Sequence, residues 1–132
     1  MTKKQRGHRA RPSKQDRWVY RKFQNIVQII ASSPAATVRA FPKGAAVVSE
    51  IIGDFTFSTA FTEIFEREVD EKARKLIKRM HIELKRICSR RDFALWNDKL
   101  VSNHSAWGEL RKQAQDLLAH MKWPMLKNPK SL

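Results

Sequence analysis

The sequence predicts an all-α fold: a small helical bundle of four to five helices around one long helix at about 59–90, with a basic N-terminal arm. Three observations carry this expectation. Apolar residues recur at steps of three and four along several stretches. Ser, Thr or Asp stands where most of these stretches begin. The bases crowd into two blocks, residues 1–22 and 67–91 of 132. At 42% hydrophobic, the chain carries enough apolar surface to fold, and its length suits one domain.

Residues 1–13 read as the arm, rich in Lys, Arg, Gly and Pro and without an apolar period. Ser13 is a good helix N-cap, and Asp16 three residues on completes a variant of the capping box. Trp18, Val19, Phe23, Ile26, Val27 and Ile30 then follow at helical spacing, predicting a helix over about 14–31. Ser32-Ser33-Pro34 ends it, because the residue before a proline avoids the helical region.

For 34–58 the expectation is a helix over 43–52, opened by Pro42 and stopped by Gly53, with loops on either side. The rival is strand, since Thr37-Val38-Arg39-Ala40 and Phe55-Thr56-Phe57 alternate polar with apolar. Ser58 or Thr59 caps the long helix. Its stripe is Phe61, Phe65, Val69, Ala73, Leu76, Met80, Leu84 and Ile87. Such a helix would span roughly 48 Å. Asp92 opens a short helix to about 101 that buries Leu95, Trp96 and Leu100, and Ser102-Asn103-His104-Ser105 is a turn. Ser105 caps a last helix to about 121, with Trp107, Leu110, Ala114, Leu117, Leu118 and Met121 on one face. Trp123-Pro124 closes the 14–123 domain, and 124–132 is a short basic tail.

Charge is the functional signal. Lys and Arg number 27 against 13 Asp and Glu, a net +14. Residues 1–22 hold nine bases against Asp16, and residues 67–91 hold ten bases against four acids, while the stretch between them is slightly acidic. Clustering of this kind attracts polyanions. In the arm the residues expected to meet nucleic acid are Lys3, Lys4, Arg6, Arg9, Arg11, Lys14, Arg17 and Arg21. In the second block they are Arg74, Lys78, Arg79, Lys85, Arg86, Arg90 and Arg91. On a helical wheel Arg67, Arg74, Lys78 and Lys85 form one lane opposite the apolar stripe. Arg79, Arg86 and Arg90 form a flanking lane, and two such lanes can follow a phosphate backbone. Earlier in that helix Glu63–Arg67, Glu68–Lys72, Asp70–Arg74 and Glu71–Lys75 pair at i, i+4, which describes a solvated face. Cations near a helix C-terminus also suit its dipole, but this accounts for Arg86, Arg90 and Arg91 alone.

Other chemistry finds little support. The single Cys88 excludes an intrachain disulfide and a four-cysteine zinc site, and fits a reducing compartment such as the cytoplasm. It reads as a small packing residue on the flank of the stripe. No apolar run is long enough to span a membrane, and no apolar core of a secretory signal is seen. An Arg-rich start with one acid also fits a transit peptide, which keeps an organellar matrix open. His8, His81, His104 and His120 have no metal spacing, no Gly-rich phosphate loop exists, and no cofactor is expected. Trp18, Trp96 and Trp107 lie on apolar faces and read as core or subunit contacts. Trp123, outside the period, reads as an exposed aromatic. The 92–121 pair reads as an ordinary αα-hairpin before a helix-turn-helix, because its second helix mixes Arg111 and Lys112 with Glu109 and Asp116 and its turn lacks a glycine.

In size, charge and helix content the chain resembles the small subunits of CRISPR effector complexes and accessory proteins of ribosomes. That resemblance carries no residue across. The clustered charge, on a chain too small to carry an evident active site, predicts a non-catalytic, nucleic-acid-binding subunit of a ribonucleoprotein complex, with RNA favoured over DNA, other protein subunits as partners and no strong sequence specificity. The alternatives are a DNA-binding regulator or packaging factor, and a protein-interaction module for acidic partners.

Overall fold

Ser13 opens the first helix, α1 (Lys14–Ala31), as its position beside Asp16 predicts. The Ser13 side chain accepts the Asp16 backbone N–H at 3.0 Å, and the Ser13 N–H donates to Asp16 Oδ2 at 3.1 Å. Two otherwise unpaired donors are thereby satisfied. The structure, a computed structural model, describes residues 12–89, 101 and 105–132. The arm at 1–11 and the short helix and turn expected around 92–104 fall, except for Val101, outside the described residues. Among the described residues the chain is helical with no strand, so the all-α class holds.

After α1 come α2 (Pro34–Arg39), α3 (Val47–Ser58), α4 (Phe61–Ile64), α5 (Glu71–Ser89) and α6 (Ser105–Met121). Helix α2 occupies a stretch expected to be loop. Ser33 accepts the Ala36 N–H at 3.2 Å and Pro34 sits in the first turn. The Ser-Ser-Pro that ends one helix thus starts the next. The strand alternative fails here and at 55–57, which lies inside α3. A turn follows α2. The Ala45 N–H bonds Pro42 O at 3.0 Å, with Gly44 at φ 88, the left-handed value required at the third position of a type II turn. Helix α3 therefore starts four residues later than expected. It runs through Gly53 instead of stopping there, because Val48, Ile51 and Phe55 on either side of it are anchored in the core.

The single long helix expected at 59–90 is broken between 65 and 70. Phe65 ends α4 at φ −111, ψ 43. Asp70 then caps α5: its Oδ1 accepts the Ala73 N–H at 2.8 Å and its carbonyl accepts the Arg74 N–H at 3.0 Å. Arg74 fastens the turn from the far side, donating to Thr62 O at 3.2 Å and Glu66 O at 3.4 Å. The reason is spatial. With 19 residues, about 28 Å, α5 is already a match for the 17-residue α6 against which it packs. A straight extension would carry Phe61 and Phe65 past the bundle, whereas the turn brings both rings onto Tyr20 at 4.9 and 5.0 Å. The predicted stripe is nevertheless inward, with Phe61, Val69, Ala73, Leu76, Met80, Leu84 and Ile87 buried. Of the four expected ion pairs, Glu71–Lys75 forms at 3.5 Å on the surface. Asp70 instead bonds His120 at 2.8 Å.

The helix around which the others assemble is α1, not 59–90. It packs against α6, α3, α4 and α2. From Ile26 to Ala31 it is buried all round, as a helix enclosed by its neighbours must be. Its end is satisfied inside the protein. Arg111 Nε donates to Ser32 O at 2.9 Å and Gln115 Nε2 to Ala31 O at 3.1 Å, both from α6. The Thr37 hydroxyl donates to Ile29 O at 2.9 Å.

Helix α6 ends in a Schellman turn. Lys122 takes φ 59, its N–H bonds Ala119 O at 3.3 Å, and the Trp123 N–H reaches back to Leu118 O at 2.9 Å. This reversal corrects the reading of Trp123 as exposed. It is folded back onto the helix and is 8% accessible, against Phe23, Phe61 and Tyr20. Residues 124–132 lie along α1 and α2 without regular structure. Gln28 donates to Pro124 O, Asn25 to Lys130 O at 2.7 Å, and the Ser131 N–H to Ala40 O.

Candidate nucleic-acid interface

Two basic surfaces emerge. The first is the outer face of α5. Ala73, Leu76, Ile77, Met80, Glu83, Leu84 and Ile87 turn inward, so the 3.6-residue period leaves Lys72, Arg74, Lys75, Lys78, Arg79, Lys85 and Arg86 exposed on the opposite arc. Glu71 is the one exposed acid of the helix. Glu83 is inside the arc and reaches Arg86 at 3.6 Å. Lys78, Arg79 and Lys85 meet no carboxylate among the described residues. Ile82, 43% exposed, lies between the lanes, four residues from both Lys78 and Arg86. Arg74 is at the surface too, but its guanidinium holds the 65–70 turn. Arg90 and Arg91 lie outside the described residues, as do Lys3, Lys4, Arg6, Arg9 and Arg11. Lys72 and Lys75, assigned in sequence to ion pairs, join the face.

The second surface is the first half of α1. Lys14, Arg17, Trp18 and Arg21 are exposed at i, i+3, i+4 and i+7. Trp18, read as a core or subunit contact, is not in the core of this chain: it is 37% accessible. The cause is that this end of α1 is covered on one side alone, where Val19 and Phe23 go in. Arg21 and Lys22 stand over the Trp18 ring at 5.9 and 5.7 Å, a cation–π arrangement. Lys22 is otherwise occupied, facing Asp54 at 3.4 Å and donating to Leu132 O at 2.8 Å. Arg17 donates to Pro12 O at 2.9 Å.

Beside this face is an open cleft of about 630 Å³, lined by Pro12, Lys14, Arg17, Tyr20, Arg21 and Phe65. Its wall is aromatic and its rim cationic. Tyr20 is fixed from behind: its ring meets Phe61, Phe65 and Trp123 edge-on, and its hydroxyl accepts Trp123 Nε1–H at 3.2 Å. The α1 half of this site was legible as spacing in the sequence. The cleft was not, because Tyr20 and Phe65 meet through tertiary structure alone.

Arg111 belongs to the fold rather than to a ligand. Its guanidinium bonds Ser32 O and Val101 O, and burial holds its pKa below the ordinary arginine value. Cys88, expected to pack, is exposed. It sits one step past buried Ile87, just beyond the arc of α5 that turns into the core. No group of three or more His, Cys, Asp or Glu suited to a metal occurs among the described residues. None of the helices described is long and apolar enough to cross a membrane. Comparisons of the chain with protein-family models, with curated proteins and with solved structures give no match.

Proposed function

We propose that the protein is a non-catalytic nucleic-acid-binding small subunit of a ribonucleoprotein complex, contacting the phosphate backbone without strong sequence specificity and favouring RNA over DNA. One observation carries the reading. Lys78, Arg79 and Lys85 stand on the outer arc of α5 without a carboxylate partner among the described residues, flanked by Lys72, Lys75 and Arg86. A fold stabilised by ion pairs does not leave a run of like charges along one helix; a surface for a phosphate chain does. The exposed Trp18 among cations on α1 favours RNA, whose unpaired bases are commonly recognised by stacking. The DNA-regulator alternative loses support because Arg111, a base-reading residue in a 92–121 helix-turn-helix, is spent on backbone carbonyls.

The test is binding to a generic single-stranded RNA and to a DNA duplex across a salt series. With about 6–10 phosphates contacted, affinity falls by roughly 10³–10⁵ between about 50 and 200 mM salt. Affinity that is weak at low salt and indifferent to salt overturns the proposal.

A further inference from the structure

We propose that the cleft between α1 and Phe65 receives a single base of a single-stranded RNA, with Lys14, Arg17 and Arg21 holding the phosphates on either side of it. The inference deepens the reading above and rests on it: it turns a backbone-following surface into one that requires an unpaired base.

Three features of the cleft select this occupant. Its volume, about 630 Å³, lies within the roughly 300–1,000 Å³ of clefts that hold small organic groups. Its wall is the pair Tyr20 and Phe65, whose rings are 5.0 Å apart at 76° and backed by Phe61. The wall is thus rigid before any ligand arrives, and little ordering is required of it. Among the described residues its rim bears three cations and no carboxylate. A purely apolar ligand gains nothing from that rim, and a free phosphate gains nothing from the wall. A flat aromatic group carried on a phosphate chain uses both. Helical geometry arranges the rim: Lys14, Arg17 and Arg21 rise along α1 at three and four residues, so the chain can run parallel to the helix while one base turns inward. A duplex keeps its bases stacked and cannot offer one at low cost.

The experiment compares a uridine oligonucleotide with an abasic ribose-phosphate chain of equal length and charge, using the intact protein and its Phe65→Leu variant. The abasic chain is expected to bind the intact protein about 5- to 150-fold more weakly, the worth of one stacked base. In Phe65→Leu that ratio shrinks while affinity for the abasic chain is kept. Equal binding of the two probes overturns the cleft and leaves the phosphate reading standing. Failure of both probes to bind overturns both. A ratio undiminished in the variant places the base elsewhere and also overturns the cleft. Should Phe65→Leu fail to fold, photocrosslinking of a thiouridine-bearing oligonucleotide to the intact protein decides. Adducts on Tyr20 or Phe65 uphold the proposal, and adducts confined to other peptides overturn it.

Discussion

Trp123 Nε1–H donates to the Tyr20 hydroxyl over 3.2 Å, joining a residue two positions past α6 to the residue that walls the cleft on α1. The bond exists because a left-handed Lys122 folds the chain back at the end of α6. Replacing Trp123 with alanine empties the space among Tyr20, Phe23 and Phe61. It is expected to cost about 3–5 kcal/mol in urea unfolding. Trp123→Phe keeps most of the volume and loses the hydrogen bond, with an expected cost near 1 kcal/mol.

Arg111 caps α1 from another helix, so Arg111→Ala strips partners from Ser32 O and Val101 O together. The expected loss is about 1.5–3 kcal/mol, measured by chemical denaturation, with nucleic-acid affinity unchanged at temperatures where the variant is folded. A selective loss of binding instead would place Arg111 at the interface.

Two substitutions are expected to stabilise. A Cβ at Gly53, inside α3, would meet nothing within 4 Å, so Gly53→Ala is expected to add about 0.5–1 kcal/mol. Lys122 holds a φ of 59 that glycine adopts without strain, and Lys122→Gly is expected to gain up to about 1 kcal/mol. Thermal melting of each variant checks the helix through residue 53 and the turn after α6 independently.

The hydrogen bond from the Ala73 backbone, then that from His120, holds the Asp70 carboxyl below its ordinary pKa of 3.8. A group depressed in this way lends stability above its unfolded value, and that stability is lost as pH falls through the lower folded value. Asp70→Ala is therefore expected to lower the melting temperature at neutral pH. The difference narrows below pH 3.8. A gap that stays constant into strong acid would show that the charge of Asp70 contributes nothing.

Charge reversal on α5 separates the two basic surfaces. Lys78→Glu with Lys85→Glu is expected to weaken single-stranded RNA binding. The slope of log affinity against log salt should fall by about 0.7 for each phosphate that is no longer neutralised. Melting should not fall, because neither lysine has a carboxylate partner among the described residues to lose and the reversal relieves like-charge repulsion along the helix. An unchanged slope would place the phosphates away from α5.

What the sequence made legible follows from how local each signal is. The bounds of α1 were readable because Ser13 with Asp16, and Ser32-Ser33-Pro34, act within a few residues. The stripe from Phe61 to Ile87 was readable, but not its break. Phe61, Phe65, Val69 and Ala73 keep a step of four straight through the non-helical turn, so the period continues where the helix does not. Asp70 was the available sign, a capping residue followed by Glu71 in the first turn of α5. The α5 face was legible because exposed charge follows from the same period that buries the stripe. The positions of Trp18 and Trp123 were not, since each depends on which side of its helix end other elements cover.

The row of cations on α5 has a further consequence for handling the free protein. Seven like charges on one helix push against one another, and this strain grows as ionic strength falls and the screening length lengthens. Dilute buffer, where the proposed polyanion would be held most tightly, is also where the empty protein is expected to be least at ease. Added salt should loosen the complex while steadying the unliganded fold.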